Sequence, residues 1–306
     1  MLIIDKLIDK IIAMNNPTVV GLDPRMEYIP DDIIKYVTDR FGNTSISVKY
    51  ALLMYNKGLI DAIYDIVPAV KPQVAFYEQF GAEGIDAYMQ TIAYAKEKGM
   101  IVIGDIKRSD IASTAEAYSD GHLGEVDVFG KPHRFFDEDF ITVNPFLGSD
   151  SVEPFLKNCK DFQKGLFLLV KTSNSGSGDF QDLMSGNRYI YEIVGDRVAE
   201  WGADFVGSHG YSSVGAVVGA THPQIVEKLR KRLPKTFFLV PGYGAQGGSA
   251  EDISASFDAN GLGAVINNSR GIIAAYKQEK YAGMTYAEAA REAALDMKKE
   301  LNKVKF

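Results

Sequence analysis

The sequence predicts a (β/α)8 barrel, and three observations support this fold class. Short apolar runs rich in Val, Ile, Leu and Phe recur eight times along the 306 residues, without regular polar alternation. Such strands are typical of a parallel sheet that is covered by helices. Stretches with helical spacing separate the runs, and the length suits a barrel, for which about 250 residues is typical.

The bounds of the predicted elements follow from apolar runs and from helix-end signals. The segments GIDAYMQTIAYAKEKG and YIYEIVGDRVAEWG have helical patterns and end on glycine, as helices often do. Thr285 and Glu288 form a predicted capping box at the start of the last helix. The eight predicted strands are residues 18–22, 69–75, 101–105, 140–143, 166–171, 205–207, 237–240 and 264–266.

Two segments exceed what a minimal barrel needs. They are residues 24–66, after the first strand, and residues 118–138, after the third. Because no low-complexity linker or break in composition interrupts the chain, we expect one domain over residues 1–306. The competing fold is a doubly wound open sheet, but no G-x-G-x-x-G follows the first strand.

Composition and charge exclude several classes of function. The net charge of -7 argues against a general surface for nucleic acid or anionic membranes, although a small anionic substrate stays compatible with it. The N-terminal segment MLIIDKLIDKIIAMNN is amphipathic, and charges interrupt its apolar residues, so we expect no signal peptide. One cysteine, Cys159, and four histidines without metal-ligand spacing predict a cytoplasmic protein with neither an internal disulfide nor a metal site.

Charged residues gather at the ends of the second and third predicted strands. Asp105 and Lys107 are two residues apart and point to the same side of a strand, Asp110 follows in the turn, and Lys71 lies in the neighbouring strand. Opposite charges 4 Å apart attract by roughly 4 kcal/mol at an effective dielectric near 20, before desolvation is subtracted. Such a network keeps a lysine protonated and able to donate a proton. A purely structural ion-pair cluster is the alternative at this point.

The last two strands end in sequences that favour phosphate binding. PGYGAQGG follows the seventh strand and offers backbone N–H groups that can approach a ligand closely. NNSRGI ends the eighth strand and puts Arg270 and Gly271 just before a helical turn. Barrels of this class often bind phosphate with the loops after strands seven and eight. Simple tight turns are the alternative for either loop taken alone.

These motifs together resemble orotidine 5′-phosphate decarboxylase. The resemblance rests on DIKRSDI at 105–111, on Lys71 before it, and on PGYGAQGG and SRGI after it, and it extends from VGLDPR to NNSRGI. KPQVAFYEQFG and GDIKRSDI are similar to the longer bacterial branch of the family, type 2. D-x-K-x-x-D alone is shared with sugar-phosphate lyases of the same superfamily. The resemblance implies decarboxylation of orotidine 5′-monophosphate to uridine 5′-monophosphate, in pyrimidine biosynthesis, without a metal or organic cofactor.

The resemblance also implies roles for four charged residues. Lys71, Asp105, Lys107 and Asp110 match the Lys-Asp-Lys-Asp network of the family. Lys107 is the expected acid that protonates C6 of the pyrimidine, and Asp105 is expected near the departing carboxylate. Lys71 is expected to orient Asp105 and the ribose. Asp110 is expected to reach across the interface of a homodimer into the partner's site.

The remaining site residues implied by the resemblance bind the nucleotide. Ile111 and Thr114 accompany Asp110 across the dimer interface, and Asp23 holds a ribose hydroxyl. Ser173 is matched to the serine that contacts the pyrimidine amide, with Thr172 and Ser175 as alternatives in KTSNSGSG. The expected phosphate contacts come from three residues, Gln246, Arg270 and Gly271.

Two other functions compete with the decarboxylase. A metal-dependent sugar-phosphate lyase or synthase on the same barrel needs further carboxylates at strand ends, and Glu78 is the nearby candidate, although we expect it on the following helix. A non-catalytic sensor of phosphate ligands is expected to have lost a member of the charge network, whereas this sequence keeps all four.

Overall fold

Eight parallel strands form a closed barrel in the computed structural model, which describes residues 1–244 and 250–305. Each strand pairs with its sequence neighbours, and β8 pairs with β1, so the sheet has no exposed edge. The predicted fold class is confirmed. The strands are β1 Thr18–Leu22, β2 Ala69–Pro72, β3 Ile101–Arg108, β4 Phe140–Val143, β5 Gly165–Lys171, β6 Ser212–Val218, β7 Thr236–Val240 and β8 Ala264–Asn268.

Helices surround the barrel and alternate with its strands. No helix within the described residues is both long enough and apolar enough to cross a membrane. The α-helices of the described chain are α1 Ile3–Met14, α2 Asp31–Phe41, α3 Ser45–Ile63, α4 Ala75–Glu78, α5 Gly81–Glu97, α6 Ala112–His122, α7 Ser149–Phe162, α8 Gly178–Gln181, α9 Ile190–Trp201, α10 Pro223–Arg232, α11 Ala250–Ile253, α12 Arg270–Ile273 and α13 Tyr286–Val304.

The sixth strand lies later in the chain than the sequence pattern predicts. Residues 205–207 do not form it, because a 3-10 turn covers Ala203–Phe205 and the strand is Ser212–Val218. The sequence SSVGAVV has few bulky side chains, which is why the pattern of large apolar residues misses it. Its small residues are needed for close packing, since a Cβ on Gly215 would lie 2.7 Å from the ring of Phe167.

The ends of β2, β3 and β8 also differ from the prediction, and β8 runs to Asn268 instead of ending at residue 266. β2 stops at Pro72, and residues from Ala75 onward begin α4 instead of extending the strand. β3 continues past Asp105 to Arg108. Its pairing with β4 shifts register between Gly104 and Arg108, so three residues of β3 face one residue of β4.

The amphipathic N-terminal helix closes the amino-terminal end of the barrel. Ile4, Leu7 and Ile8 of α1 are fully buried and pack with side chains that fill the barrel interior, among them Phe167 and Phe237. Burying an aliphatic side chain of this size contributes roughly 1.5–3 kcal/mol. The opposite end of the barrel therefore remains for a ligand.

The two long segments between strands contain regular structure of their own. Residues 24–66 form α2 and α3, and α3 packs against α5 and α13 in the outer layer. Residues 118–138 include the end of α6 and a two-stranded hairpin, Val126–Val128 with Lys131–His133. Phe129 lies at the hairpin tip and is fully exposed.

Candidate active site

A cavity of about 680 Å³ opens at the carboxyl end of the barrel strands. All eight strands, or the loops directly after them, contribute to its wall, so residues distant in sequence meet there. The polar side chains of the described wall are Asp23, Arg25, Tyr28, Lys71, Asp105, Lys107, Thr142, Thr172, Ser173, Asn174, Gln181, Tyr243, Asn267, Ser269 and Arg270.

The cavity is locally positive although the chain as a whole is negative. Its described wall carries four cationic side chains, those of Arg25, Lys71, Lys107 and Arg270, against the carboxylates of Asp23 and Asp105. The difference is two positive charges, in a protein whose formal net charge is -7. A cavity with this excess favours a small anionic ligand.

Asp105 holds two lysines together at the cavity wall. Lys71 Nζ lies 2.6 Å from Asp105 Oδ2, and Lys107 Nζ lies 2.5 Å from Asp105 Oδ1. Thr142 Oγ1 donates a further hydrogen bond to Asp105 Oδ1 at 2.9 Å. Asp105 and Lys71 are buried, whereas the Lys107 side chain is 45% exposed. The carboxylate thus fixes one buried ammonium and one that reaches the solvent.

This arrangement keeps both buried groups ionised. Burial by itself would raise the pKa of Asp105, but the positive charges of Lys71 and Lys107 outweigh it and hold the pKa of this carboxyl well below its usual range. Burial favours the neutral amine of Lys71, but the charges of Asp105 and Asp23 raise the pKa of that lysine above its usual value. The site therefore presents fixed charges at neutral pH.

Lys107 has an unusual backbone conformation. Its φ is 49°, in the left-handed region that residues other than glycine rarely adopt. The Lys107 N–H donates to Thr142 Oγ1 at 3.0 Å instead of to a strand carbonyl, which is consistent with the local shift in register. This bulge gives the Lys107 side chain the direction that brings Nζ to Asp105.

Asp23 follows β1 and points a carboxylate oxygen into the same region. Its Oδ1 is buried without a hydrogen-bond partner in the described chain. An unpartnered buried oxygen costs free energy, so a ligand donor at this position would be stabilising. A hydroxyl group is one such donor.

The cavity wall around β8 includes Asn267, Ser269 and Arg270, the last of which is a predicted phosphate contact. A Cβ on Gly21 would lie 1.9 Å from Ser269 Oγ, so glycine is needed in β1 for this close approach. Arg270 begins α12, and the Gly271 N–H donates to Asn268 Oδ1 at 3.1 Å. Arg270 lines the cavity, whereas Gly271 is not part of its wall. Gln246 lies outside the described residues.

Sequence comparison identifies the family. A model of the orotidine 5′-phosphate decarboxylase / HUMPS family matches residues 19–284. The chain belongs to this family. It is 44% identical over 298 residues to an orotidine 5′-phosphate decarboxylase from Caldicellulosiruptor bescii, covering 97% of both chains. It is also 42% identical over 304 residues to one from Clostridium novyi, covering 99% of both.

A solved structure with the same family name supports the assignment. The OMP decarboxylase of Leishmania donovani superposes with a TM-score of 0.77 and 33% sequence identity, and the match covers 100% of each chain. Membership of the family is therefore established by sequence and by fold together, as the sequence motifs predict.

The remaining predicted residues of the family site lie away from this cavity wall. Asp110 is half-buried, and its Oδ1 accepts a hydrogen bond from the Ile111 N–H at 2.8 Å. Ile111 is 54% exposed, and Thr114 is also exposed, at the start of α6. Asp110, Ile111 and Thr114 do not line the cavity of their own chain.

The loop after β5 brings Thr172 and Ser173 to the cavity but leaves Ser175 outside its wall. Thr172 is already engaged within the loop, because Gln181 donates to its hydroxyl at 2.9 Å and it donates to Asn174 Oδ1 at 2.6 Å. Ser173 also lies in the wall, and its hydroxyl makes no hydrogen bond within the described chain. It is therefore the candidate whose hydroxyl is available to a ligand.

Several wall residues of this family member were not predicted from the sequence as site residues. The Thr142 hydroxyl donates a hydrogen bond to Asp105, and the side chain of Gln181 accepts one from the backbone of the loop after β5. Asn267 has a buried Oδ1 in the wall without a hydrogen-bond partner in the described chain. Thr142 lies inside an apolar strand and offers little signal. Asn267 could have been found from the sequence. It is a polar residue near the end of a buried strand, which is the same signal that identified Asp105.

Glu78, the carboxylate that a metal-dependent enzyme would need, lies in α4 as expected. It accepts a hydrogen bond from Arg108 Nη2 and does not line the cavity. Within the described chain, no three or more His, Cys, Asp or Glu side chains form a group that could hold a metal ion.

Proposed function

We propose that this protein converts orotidine 5′-monophosphate to uridine 5′-monophosphate, with Lys107 as the proton donor to C6. One observation carries the proposal: the Lys107 ammonium is held by Asp105 at the wall of a cavity with an excess of positive charge. The relatives from Caldicellulosiruptor bescii and Clostridium novyi carry the name of this decarboxylase, and each matches nearly the whole chain.

The chemistry needs one bond to break and one proton to move. The bond between C6 and the carboxylate breaks, CO2 leaves, and the bonding electron pair stays on C6. The ammonium of Lys107 then gives its proton to C6, and the amine regains a proton from water, which its partial exposure allows. A fixed ammonium stabilises the developing carbanion electrostatically. Asp105 is assigned to a position near the departing carboxylate, which its contact with Lys107 supports.

Lys71 and Asp110 complete the proposed charge network. Lys71 is paired with Asp105 on the adjacent strand, which supports its proposed role in orienting that carboxylate and the ribose. Asp110 is assigned to the partner's site in a homodimer, together with Ile111 and Thr114. The exposure of Ile111 and Thr114 at the start of α6 supports this assignment, because a dimer interface would cover them.

The other contacts are proposed to bind the nucleotide at a distance from C6. Asp23 is assigned to a ribose hydroxyl, which would satisfy its unpartnered Oδ1, and Ser173 to the pyrimidine amide. Arg270, Gly271 and Gln246 are assigned to the phosphate. Binding energy from the remote phosphate can then support positioning at C6. A cytoplasmic location remains a prediction from the single cysteine.

An absorbance assay with orotidine 5′-monophosphate tests the proposal. We expect loss of the substrate's absorbance band at the same rate with and without a chelator. Turnover abolished by the chelator would favour the metal-dependent lyase instead. Tight binding of the nucleotide by folded protein without turnover would favour a sensor, and the Lys107 assignment would be wrong.

A further inference from the structure

Arg108 and Glu78 form a charged pair that the proposed chemistry leaves without a role. Arg108 is the last residue of β3, directly after Lys107, and Glu78 is the last residue of α4. Arg108 Nη2 donates to Glu78 Oε1, and the guanidinium carbon lies 5.6 Å from the centre of the Tyr118 ring. Neither charged residue lines the cavity, so the pair is not a substrate contact in this chain.

The same guanidinium also binds the backbone of the bulge that carries Lys107. Arg108 Nη1 donates to the carbonyl oxygen of Ile106 at 3.3 Å. Ile106 is the residue between Asp105 and Lys107, so this contact lies within the three residues that face Thr142 of β4. Regular pairing resumes after the bulge, where the Asn144 N–H donates to the Arg108 carbonyl at 3.0 Å.

A left-handed backbone at a non-glycine residue persists only when surrounding contacts determine it. The Thr142 hydroxyl supplies one such contact at the Lys107 N–H. The Arg108 side chain supplies a second from the outer side of the strand, since it joins the Ile106 carbonyl to α4 through Glu78. The α4 end is itself fixed, because the Glu78 N–H donates to the Val74 carbonyl at 2.8 Å.

We infer that Glu78 and Arg108 are positioning residues that hold the bulge of β3 and so keep Lys107 Nζ against Asp105. The pair acts from outside the cavity, through the backbone, and Tyr118 covers the guanidinium on the side of α6. This inference rests on the proposed function, in which Lys107 donates the proton. Both residues lie in motifs that the sequence analysis singled out, KPQVAFYEQFG and GDIKRSDI.

The variants Glu78→Gln and Arg108→Met test the inference in the intact protein. For both we expect kcat with orotidine 5′-monophosphate to fall about tenfold to hundredfold, because small errors in catalytic geometry have effects of this size. Binding of uridine 5′-monophosphate, measured by calorimetry, should stay within about twofold, since the phosphate and ribose contacts are untouched. A role in stability alone would lower Tm and leave kcat per folded molecule unchanged.

Asp65→Asn is the matched control. It breaks another pair with the same two kinds of contact: Arg291 binds Asp65 through two hydrogen bonds of 2.6 and 2.9 Å, and it donates to the Ala62 carbonyl at 2.7 Å. That pair joins the end of the α3 region to α13, outside the cavity wall. We expect a lower Tm for Asp65→Asn with an unchanged kcat.

The double variant Glu78→Gln/Arg108→Met tests whether the two residues act together. If the two residues act as one unit, its kcat should equal that of Arg108→Met alone. Arg108→Lys keeps the charge but not the fork of two donors, so we expect a kcat between those of wild type and Arg108→Met. If Arg108→Met fails to fold, Glu78→Gln, which is close to isosteric, decides the question.

Two results would overturn the positioning role while leaving the proposed function intact. One is that the wild-type protein decarboxylates the substrate and Glu78→Gln does so with the same kcat. The other is a loss of nucleotide binding in the variants that is as large as the loss in kcat. If the wild-type protein itself does not consume the substrate, the proposed function fails, and the inference fails with it.

Discussion

Lys71 and Asp105 form a buried ion pair across two neighbouring strands, with Nζ 2.6 Å from Oδ2. Lys71 is 5% exposed and Asp105 is 6% exposed, so neither charge could remain there without the other. Asp105 uses its second oxygen for Lys107, which reaches the solvent. The pair therefore connects the stability of the barrel wall to the placement of the proposed proton donor, and the two can be tested separately.

Lys107→Ala should remove most of the activity. Without the ammonium, the electron pair at C6 has neither its proton donor nor its nearest fixed positive charge, and general acid catalysis alone contributes about 10²–10⁴-fold. We expect kcat to fall by at least that factor, with Tm close to wild type because the side chain is partly exposed. Near-wild-type turnover by folded Lys107→Ala would contradict the mechanism.

Arg270→Ala should mainly weaken binding. A hydrogen bond to a charged group contributes about 1.5–3 kcal/mol, so we expect KM to rise about tenfold to hundredfold, with a smaller loss in kcat. Steady-state kinetics separate the two parameters. Arg270→Lys should lie between, because an ammonium cannot make the bidentate contact. A large fall in kcat with an unchanged KM would place Arg270 at the reacting carbon instead.

Asp105→Asn should destabilise the fold in a pH-dependent way. Removing the carboxylate leaves the Lys71 ammonium buried and unpaired, which costs about 3–5 kcal/mol in the free energy of unfolding at pH 7. The pKa of Asp105 is lowered in the folded state, so its contribution is present above the unfolded pKa, about 3.9, and is lost as the pH falls toward the folded value.

Urea unfolding of wild type and Asp105→Asn between pH 3 and pH 7 measures this contribution. We expect the free energies of unfolding of the two proteins to differ by a constant amount from about pH 5 upward. Below about pH 4 this difference should become smaller. If the free energy of unfolding changes with pH in the same way for both proteins down to pH 3, the carboxylate is not stabilised by the lysines in the folded state.

Mixing two inactive variants tests the proposed sharing of Asp110 between subunits. Lys107→Ala and Asp110→Ala homodimers should each be nearly inactive. After refolding together, half of the dimers are mixed, and each has one site with both residues intact, so activity should recover to about a quarter of wild type. No recovery, with mixed dimers present by mass spectrometry, would mean that Asp110 acts in its own chain's site or in none.

Gly21→Ala should disturb the part of the cavity wall that is proposed to bind the phosphate. The added methyl group would lie 1.9 Å from Ser269 Oγ and 2.8 Å from Ser269 Cβ, next to Arg270. Overpacking of this kind typically costs about 1–3 kcal/mol, so we expect a lower Tm and a higher KM. Gly121→Ala is the control, because α6 has open space there and alanine should stabilise the helix by about 0.5–1 kcal/mol.

The sequence predicted the fold class because parallel barrel strands are buried on both faces and therefore have a strong apolar signal. The exception, β6, explains the limit of that signal. Its glycine at 215 and its serines allow neighbouring strands and rings to pack closely, and small residues in a strand resemble a loop when the sequence is considered alone. The prediction of one domain over residues 1–306 stays a prediction.

In the candidate site, too, some features could be predicted from the sequence and others depend on the tertiary structure. The sequence by itself determined the residue types at the strand ends, because a charge after a buried strand is costly unless it is paired or used. It could not give the bulge in β3, the left-handed backbone of Lys107 or the Arg108–Glu78 pair, since each depends on contacts between strands and helices distant in the chain. Only the tertiary structure decided these, because backbone strain and ion pairing are settled by the packing around them.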